Sequence, residues 1–481
     1  MPKMKEKLNT KGWSRRSFLK NSIAAGAAIG MMPNPLSAVP EVLPDRVKGN
    51  VKNLIFMVSD GMSSGTLAMA ELLRYRKEGR HSSWIQLYID GLAQRSLMDM
   101  ASLNSIVTDS AAAASSWGSG HRVNNGALNM TPDGKALKPI LQYFKAAGRG
   151  TGCVTTATIT HATPAGFAAN MEKRSDQAKI AEQYLEREYD VMLGGGEEFF
   201  LPNLRKDQKD LKKAFEAQKI KTLQNKKAMN LSQNSQKFMG FFGRGHLPYS
   251  IDHQNSSTLK EEVPTLAEMT SFALEQLGKN KKGFCLQVEG ARIDHAAHGN
   301  DTPALLYDQL AFDDAIAVVR KFAENRKDTL VIVTSDHGNA NPGMNGMGSG
   351  YGDSNQLFDR IQDFKGTYGK ILSEIKERPR ANLIMDVTEA YTGIQLSRRE
   401  ARSIRAAVRG NHDHLFLGKQ NAAASFGELM QNHTGVGWVG NNHTADFVEM
   451  AAFGEGVAYI PAFVKNTDLF HLMVKLCGVD S

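Results

Sequence analysis

Apolar residues in this chain gather into short runs that stop abruptly on polar, chemically able side chains. Val51–Ser59, the β-branched run within Gly148–Thr160, Phe284–Glu289 and Thr329–Ser335 all follow this rule. Continuous apolarity without alternation predicts strands covered on both faces, as in a parallel sheet. Helical patterns lie between and after them: Pro264–Leu277, Leu305–Phe322, Ala381–Thr392 and Ser397–Val408. Four alanines after Asp109-Ser110 predict a further helix with one of those two residues at its N-cap. Phe447–Phe453 reads as a late strand. The expected fold is α/β, a mainly parallel central sheet flanked by helices on both faces.

Two stretches break the pattern. Residues 201–260 are rich in Lys, Gln and Asn, with a helical look from Lys206 to Gln218, and read as a peripheral insertion without chemistry. A second insertion is expected near 340–435; it opens on Gly343–Gly352, a glycine-rich stretch expected to be a mobile loop. No solenoid-type repeat is present.

The net charge of +8 over 481 residues suggests a polyanion partner until it is located. Residues 1–38 carry seven cations and one anion; removing that +6 from +8 leaves about +2 for the rest. No nucleic-acid partner is implied. Ser14-Arg15-Arg16-Ser17-Phe18-Leu19-Lys20 matches a twin-arginine export pattern, and the Gly/Ala-rich run Ile23–Met32 is too short to span a membrane. The expectation is a signal peptide over 1–38, with Leu36-Ser37-Ala38 as a weak cleavage site. A single domain over 39–481 would follow it, carried by the twin-arginine machinery to the periplasm or beyond, with no membrane span in the mature chain. Cys153 and Cys285, two of only three cysteines, sit inside apolar runs and read as small core residues.

The strand ends carry the chemistry. Val51–Ser59 runs into Asp60, Gly148–Thr160 into His161 and Thr163, Phe284–Val288 into Glu289, and Thr329–Ser335 into Asp336-His337. After Gly290, Asp294 and His298 stand at i and i+4, on one helical face with Cβ atoms roughly 6 Å apart. Alone, such a pair is more often solvated surface, and Asp-Gly after a strand is first of all a turn. A parallel sheet, however, brings its strand ends to one edge, where residues distant in sequence converge. Bland turn chemistry does not explain why acids and histidines recur at every end, so a metal cluster is expected. Ser110, at a helix N-terminus, would lie in a positive field that favours phosphate. Arg174 by itself reads as solvated surface, as does His433.

The segments Val58-Ser59-Asp60-Gly61, Thr108-Asp109-Ser110-Ala111-Ala112, Thr160-His161-Ala162-Thr163-Pro164, Glu289-Gly290 with Asp294-His295 and His298, Asp336-His337 and Asn442-His443-Thr444 resemble the alkaline phosphatase family, in its order. Phe242–Tyr249 and Leu266–Thr270 look like it too. The resemblance is dense over about 50–340 and again over 435–465. It implies hydrolysis of phosphate monoesters through a phosphoserine on Ser110, with two zinc ions and one magnesium ion. Asp294, His298 and His443 would hold the first zinc; Asp336, His337 and Asp60 the second, facing Ser110; Asp60, Thr163 and Glu289 the magnesium. Arg174 would clamp the phosphoryl group, and a homodimer is admitted. His161 stands where some members have Asp, His295 where members have Lys or His, and Gly338-Asn339-Ala340-Asn341 replaces an acidic continuation. The alternatives are a phosphodiesterase, a sulfatase and a non-catalytic binding protein. A diesterase is expected to lack Thr163, Glu289 and Arg174, and the surroundings of Ser110 lack a sulfatase modification motif.

Overall fold

Strand β1, Asn53–Ser59, is buried at every position, and a ten-stranded sheet is built outward from it. The computed structural model describes residues 50–232, 237–347, 350–411 and 421–479, so the expected signal segment lies outside the described residues. The other strands are β2 (Gln94–Asp99), β3 (Gly150–Thr158), β4 (Val191–Gly195), β5 (Lys221–Leu223), β6 (Phe238–Phe241), β7 (Phe284–Gly290), β8 (Thr329–Thr334), β9 (Val448–Gly454) and β10 (Phe463–Lys465). Their spatial order is β10-β2-β9-β8-β1-β7-β3-β4-β6-β5. Every pairing is parallel except the two made by β9, with β8 and β2.

Six helices position the chemistry: α1 (Ser64–Glu78), α2 (Ser110–Ser119), α3 (Ala162–Ala168), α4 (Leu266–Leu277), α5 (Arg292–His298) and α6 (Thr302–Ala323). Side chains of β1 alternate between two layers, as a strand requires. Ile55 and Met57 join Met69 of α1, Met269 of α4 and Ile316 of α6 in one core. Phe56 points the other way, its ring centroid 4.9 Å from Trp117 of α2 and 5.3 Å from Phe167 of α3. Helices therefore cover both faces, as the apolar runs imply.

The register brings the strand ends level. Val58 pairs with Glu289 on one side and Thr334 on the other, and Thr155 of β3 pairs with Glu289. Asp60, two residues past Val58, and Asp336, two past Thr334, thus leave the sheet at the same height. The antiparallel β9 begins where its parallel neighbours end. Just before it, His443-Thr444 pairs with Asn339-Gly338, which returns the late histidine to the same edge.

Two expectations are corrected. The segment 201–260 contributes β5 and β6 at the outer edge of the main sheet, and the helical look from Lys206 to Gln218 becomes a helix only over Leu211–Ala217, because Asp210 caps it by accepting from Lys213 N. Strands of three and four residues are too short to show a period. In the glycine-rich stretch, Gly343-Met344 pairs antiparallel with Val436-Gly437, so its start is ordered structure. The buried cysteines are as expected, with Cys153, Cys285 and Cys477 all free thiols.

Helices α2 and α3 touch through glycine. A Cβ on Gly118 would lie 1.9 Å from Gly166 O, and one on Gly166 would lie 2.4 Å from Ala114 Cβ. The two helices carry Ser110 and Thr163, so this contact sets the spacing of two site residues. Gly118→Ala is expected to cost about 1–3 kcal/mol by overpacking and to lower activity as α2 shifts. A chemical-denaturation midpoint equal to that of the wild type would show that the helices part without cost.

Candidate active site

Asp336 and His337 follow β8 after Ser335, and the first turn after β1 meets them. Gly61 N–H donates to Asp336 Oδ1 at 2.9 Å, which leaves Oδ2 facing inward. His337 Nε2 lies 3.2 Å from that oxygen, 3.6 Å from Asp60 Oδ1 and 3.3 Å from Ser110 Oγ. Ligand atoms about 2.0–2.2 Å from a tetrahedral ion stand about 3.3–3.6 Å apart, so these separations suit a shared cation. Ser110 is the first residue of α2. Capping falls to Asp109, whose Oδ1 accepts from Ala112 N at 2.9 Å, and the serine hydroxyl is left for other work.

A second group comes from α5 and the strand leading to β9. Asp294, His298 and His443 offer ligand atoms within 4.8 Å of one another. His298 Nδ1 meets Asn441 O at 2.7 Å, and His443 Nδ1 meets Thr108 O at 2.9 Å. Each ring therefore donates its Nδ1–H to a backbone carbonyl and presents an Nε2 lone pair inward. Those two Nε2 atoms face each other at 3.1 Å, an arrangement that calls for a cation between them. Asn339 Nδ2 donates to Asp294 Oδ1 at 2.7 Å and steadies the acid.

The third group sits between β1, β3 and β7. Asp60, His161 and Glu289 bring ligand atoms within 4.8 Å of one another, and Asp60, Asp294 and His337 do the same, so Asp60 and Asp294 join all three groups. Thr155 Oγ1 donates to Glu289 Oε2. The other carboxyl oxygen, Glu289 Oε1, is buried without a hydrogen-bond partner, as are both oxygens of Asp60, Thr163 Oγ1, Asp336 Oδ2 and His161 Nδ1. A fold does not leave so many buried acceptors unmatched at one place unless something else binds them. The donor set, oxygen-rich at the third group and mixed N/O at the first two, fits divalent cations.

Arg174 is not free surface. Its Nη1 donates to Asp109 Oδ2 at 3.0 Å and its Nη2 lies 3.2 Å from His161 Nε2, so it stands beside Ser110. Thus every predicted site residue converges on one edge of the sheet. His433, read as surface, stays outside and pairs with Glu400 at 2.8 Å. Sequence reasoning missed Thr155, Asn339 and the carbonyls of Thr108 and Asn441. None carries a ligand signature; only strand pairing reveals them.

Without a cation the group is electrostatically frustrated. Burial, then the charges of Asp336, Asp294 and Glu289, raises the Asp60 carboxyl well above the usual range. Burial also pushes Glu289 up to about 7. Asp294 is opposed by burial too, yet His443, His298 and His337 hold it well below the usual carboxylate value. Near neutral pH, Glu289 is therefore partly protonated, and an incoming cation must displace that proton. Cation binding to the stripped protein is expected to release protons at pH 7 and to weaken as pH falls through about 7. Calorimetric titration in buffers of different ionisation enthalpy reads this directly. Glu289→Gln should reduce the proton count, and a wild-type count of zero would contradict the assignment.

Comparison with known proteins agrees with this geometry. Residues 51–479 match the alkaline phosphatase family. The chain is 29% identical to alkaline phosphatase 4 of Bacillus subtilis (strain 168) over 437 residues, 89% of each protein. It is 30% identical to the alkaline phosphatase of Escherichia coli (strain K12) over 359 residues, 66% of this chain and 76% of that one. The crystal structure of Thermus thermophilus alkaline phosphatase superposes with a TM-score of 0.87 at 33% identity, covering 94% of this chain and 96% of the other. The chain belongs to the alkaline phosphatase family and is a phosphomonoester hydrolase with grouped metal-binding residues.

Proposed function

We propose that the chain is an exported alkaline phosphatase that splits phosphate monoesters through a phosphoserine on Ser110, served by two zinc ions and one magnesium ion. The observation that carries the reading is the position of Ser110 Oγ, which is 3.3 Å from His337 Nε2 at the N-terminus of α2. Asp294, His298 and His443 would hold one zinc, Asp60, Asp336 and His337 the other, and Asp60, Thr163, Glu289 and His161 the magnesium. Bound there, the ions would lower the pKa of the serine hydroxyl and of water, and neutralise charge on the departing oxygen.

The remaining work falls to the chain. Arg174, braced by Asp109, offers parallel N–H groups to two non-bridging phosphoryl oxygens, a fork that Lys cannot copy. The N–H groups of the first turn of α2 face the same charge. Ser110 Oγ, having given up its proton, forms a bond to phosphorus as the bond to the ester oxygen breaks; the alcohol leaves with a proton from solvent. Water then attacks the phosphoserine, the P–Oγ bond breaks, and Ser110 regains a proton as inorganic phosphate forms. Export is supported by Ser14–Lys20, and among the described residues no helix is long and apolar enough to cross a membrane.

The test compares p-nitrophenyl phosphate with bis-p-nitrophenyl phosphate, with zinc and magnesium supplied. Wild type is expected to prefer the monoester strongly. Ser110→Ala should lower turnover by roughly three orders of magnitude, about 4 kcal/mol of barrier, and chelation should abolish it. Diester turnover above monoester turnover would replace this reading with a phosphodiesterase.

A further inference from the structure

The loop Phe242–Tyr249 carries no ligand of the three groups, yet it delivers a third imidazole to their flank. The ring of His246 has its centroid 4.5 Å from that of His295 and 5.5 Å from that of His161, and His161 and His295 are 5.6 Å apart. Hydrogen bonds fix two of the tautomers. Thr158 N–H donates to His246 Nδ1 at 3.1 Å, and Arg292 Nη1 donates to His295 Nδ1 at 2.8 Å. A ring nitrogen that accepts such a bond carries no proton, so both rings are neutral and carry their proton on Nε2. No hydrogen bond is found for either Nε2–H among the described residues.

The same few atoms lock the two histidines together. Thr156 accepts from Leu247 N through its carbonyl at 2.9 Å and from Arg292 N through its hydroxyl at 3.2 Å, so the loop and the start of α5 share one anchor. The guanidinium of Arg292 also stacks 3.7 Å over the ring of Tyr249. Farther along, Asp308 takes Ser250 N at 3.0 Å and Ser250 Oγ at 3.1 Å, which holds the loop's far end on α6.

We propose that His246 is a positioning residue for His295: its ring packs against His295 and keeps the His295 Nε2–H directed, as a neutral donor, at phosphoryl oxygens held between Ser110 and Arg174. The proposal rests on the phosphomonoesterase reading above. His295 follows Asp294 and precedes His298 by one turn, so it shares its helix with two residues of the second group. Two fixed donors without an acceptor, side by side next to Arg174 and His161, are what a phosphate-binding wall requires.

A double-mutant cycle tests this. Inorganic phosphate is titrated calorimetrically into the metal-loaded wild type, His246→Asn, His295→Ala and the double variant. Asn retains an oxygen for Thr158 N–H but removes the ring. His246→Asn is expected to weaken phosphate about three- to tenfold, the range of one neutral hydrogen bond, with an unchanged melting temperature. In the His295→Ala background the same change should have no further effect. Full additivity, or wild-type affinity in His246→Asn, overturns the proposal. His246→Gln is carried through the same cycle, so a folding defect in one variant leaves the other readable; loss of the fold in both makes the histidine purely structural and also overturns it. Wild type that neither binds phosphate nor turns over p-nitrophenyl phosphate would instead sink the functional reading.

Discussion

Four carboxylates, those of Asp60, Glu289, Asp294 and Asp336, are driven into one buried edge of the sheet, all at 5% exposure or less. Like charges withdrawn from water at such separations repel strongly, and desolvation opposes each of them separately. The fold tolerates this only because β1, β7 and β8 are committed to their positions by apolar burial on both faces, which is indifferent to what stands at their ends. The sheet thus supplies the stability and the site spends it. A cation placed among the acids reverses the sign of the problem, because attraction then replaces repulsion along every short distance in the group.

Seen from that constraint, the helices have distinct duties. α2 presents Ser110 because Asp109 takes over capping and because Gly118 and Gly166 let α2 approach α3 closely. α5 is short, but two residues of one face, Asp294 and His298, are enough to join the acids to the imidazoles. The second tier is made of unremarkable groups: the Thr108 and Asn441 carbonyls and the Asn339 amide. They decide which nitrogen or oxygen looks inward, and so turn a collection of polar side chains into oriented donors.

How much of this was legible depended on period. β1, β7 and β8 are long apolar runs, and their terminal acids stood out because nothing else explains charge after such runs. The helix Ala381–Thr392 coincides with its sequence pattern for a similar reason, a clear amphipathic repeat. β5 and β6 were illegible, since three or four residues in a Lys-rich stretch carry no usable pattern. Of the site, the ligand-type residues could be read, but Thr155 and His246 could not. Thr155 matters only because β3 lies next to β7 in a particular register, and His246 only because a loop folds back over β3; neither fact is local to its own sequence.

His161 shows how one residue can change the balance of the whole edge. With an imidazole at this place, the third group draws negative charge from Asp60 and Glu289 without adding a third charge. Asp60 is shared with the group of Asp336 and His337, and its carboxyl already feels Asp336 and Asp294. A further acid at position 161 would add repulsion where it is greatest, whereas imidazole adds none. Burial, then the charge of Arg174, holds His161 well below the usual histidine value, so it contributes no compensating positive charge either. The third group is therefore poorer in charge than an all-carboxylate set, and a cation held there would depend on oriented lone pairs. For such a set, the geometry imposed by Thr155 on Glu289 and by Arg174 on His161 matters more than net charge.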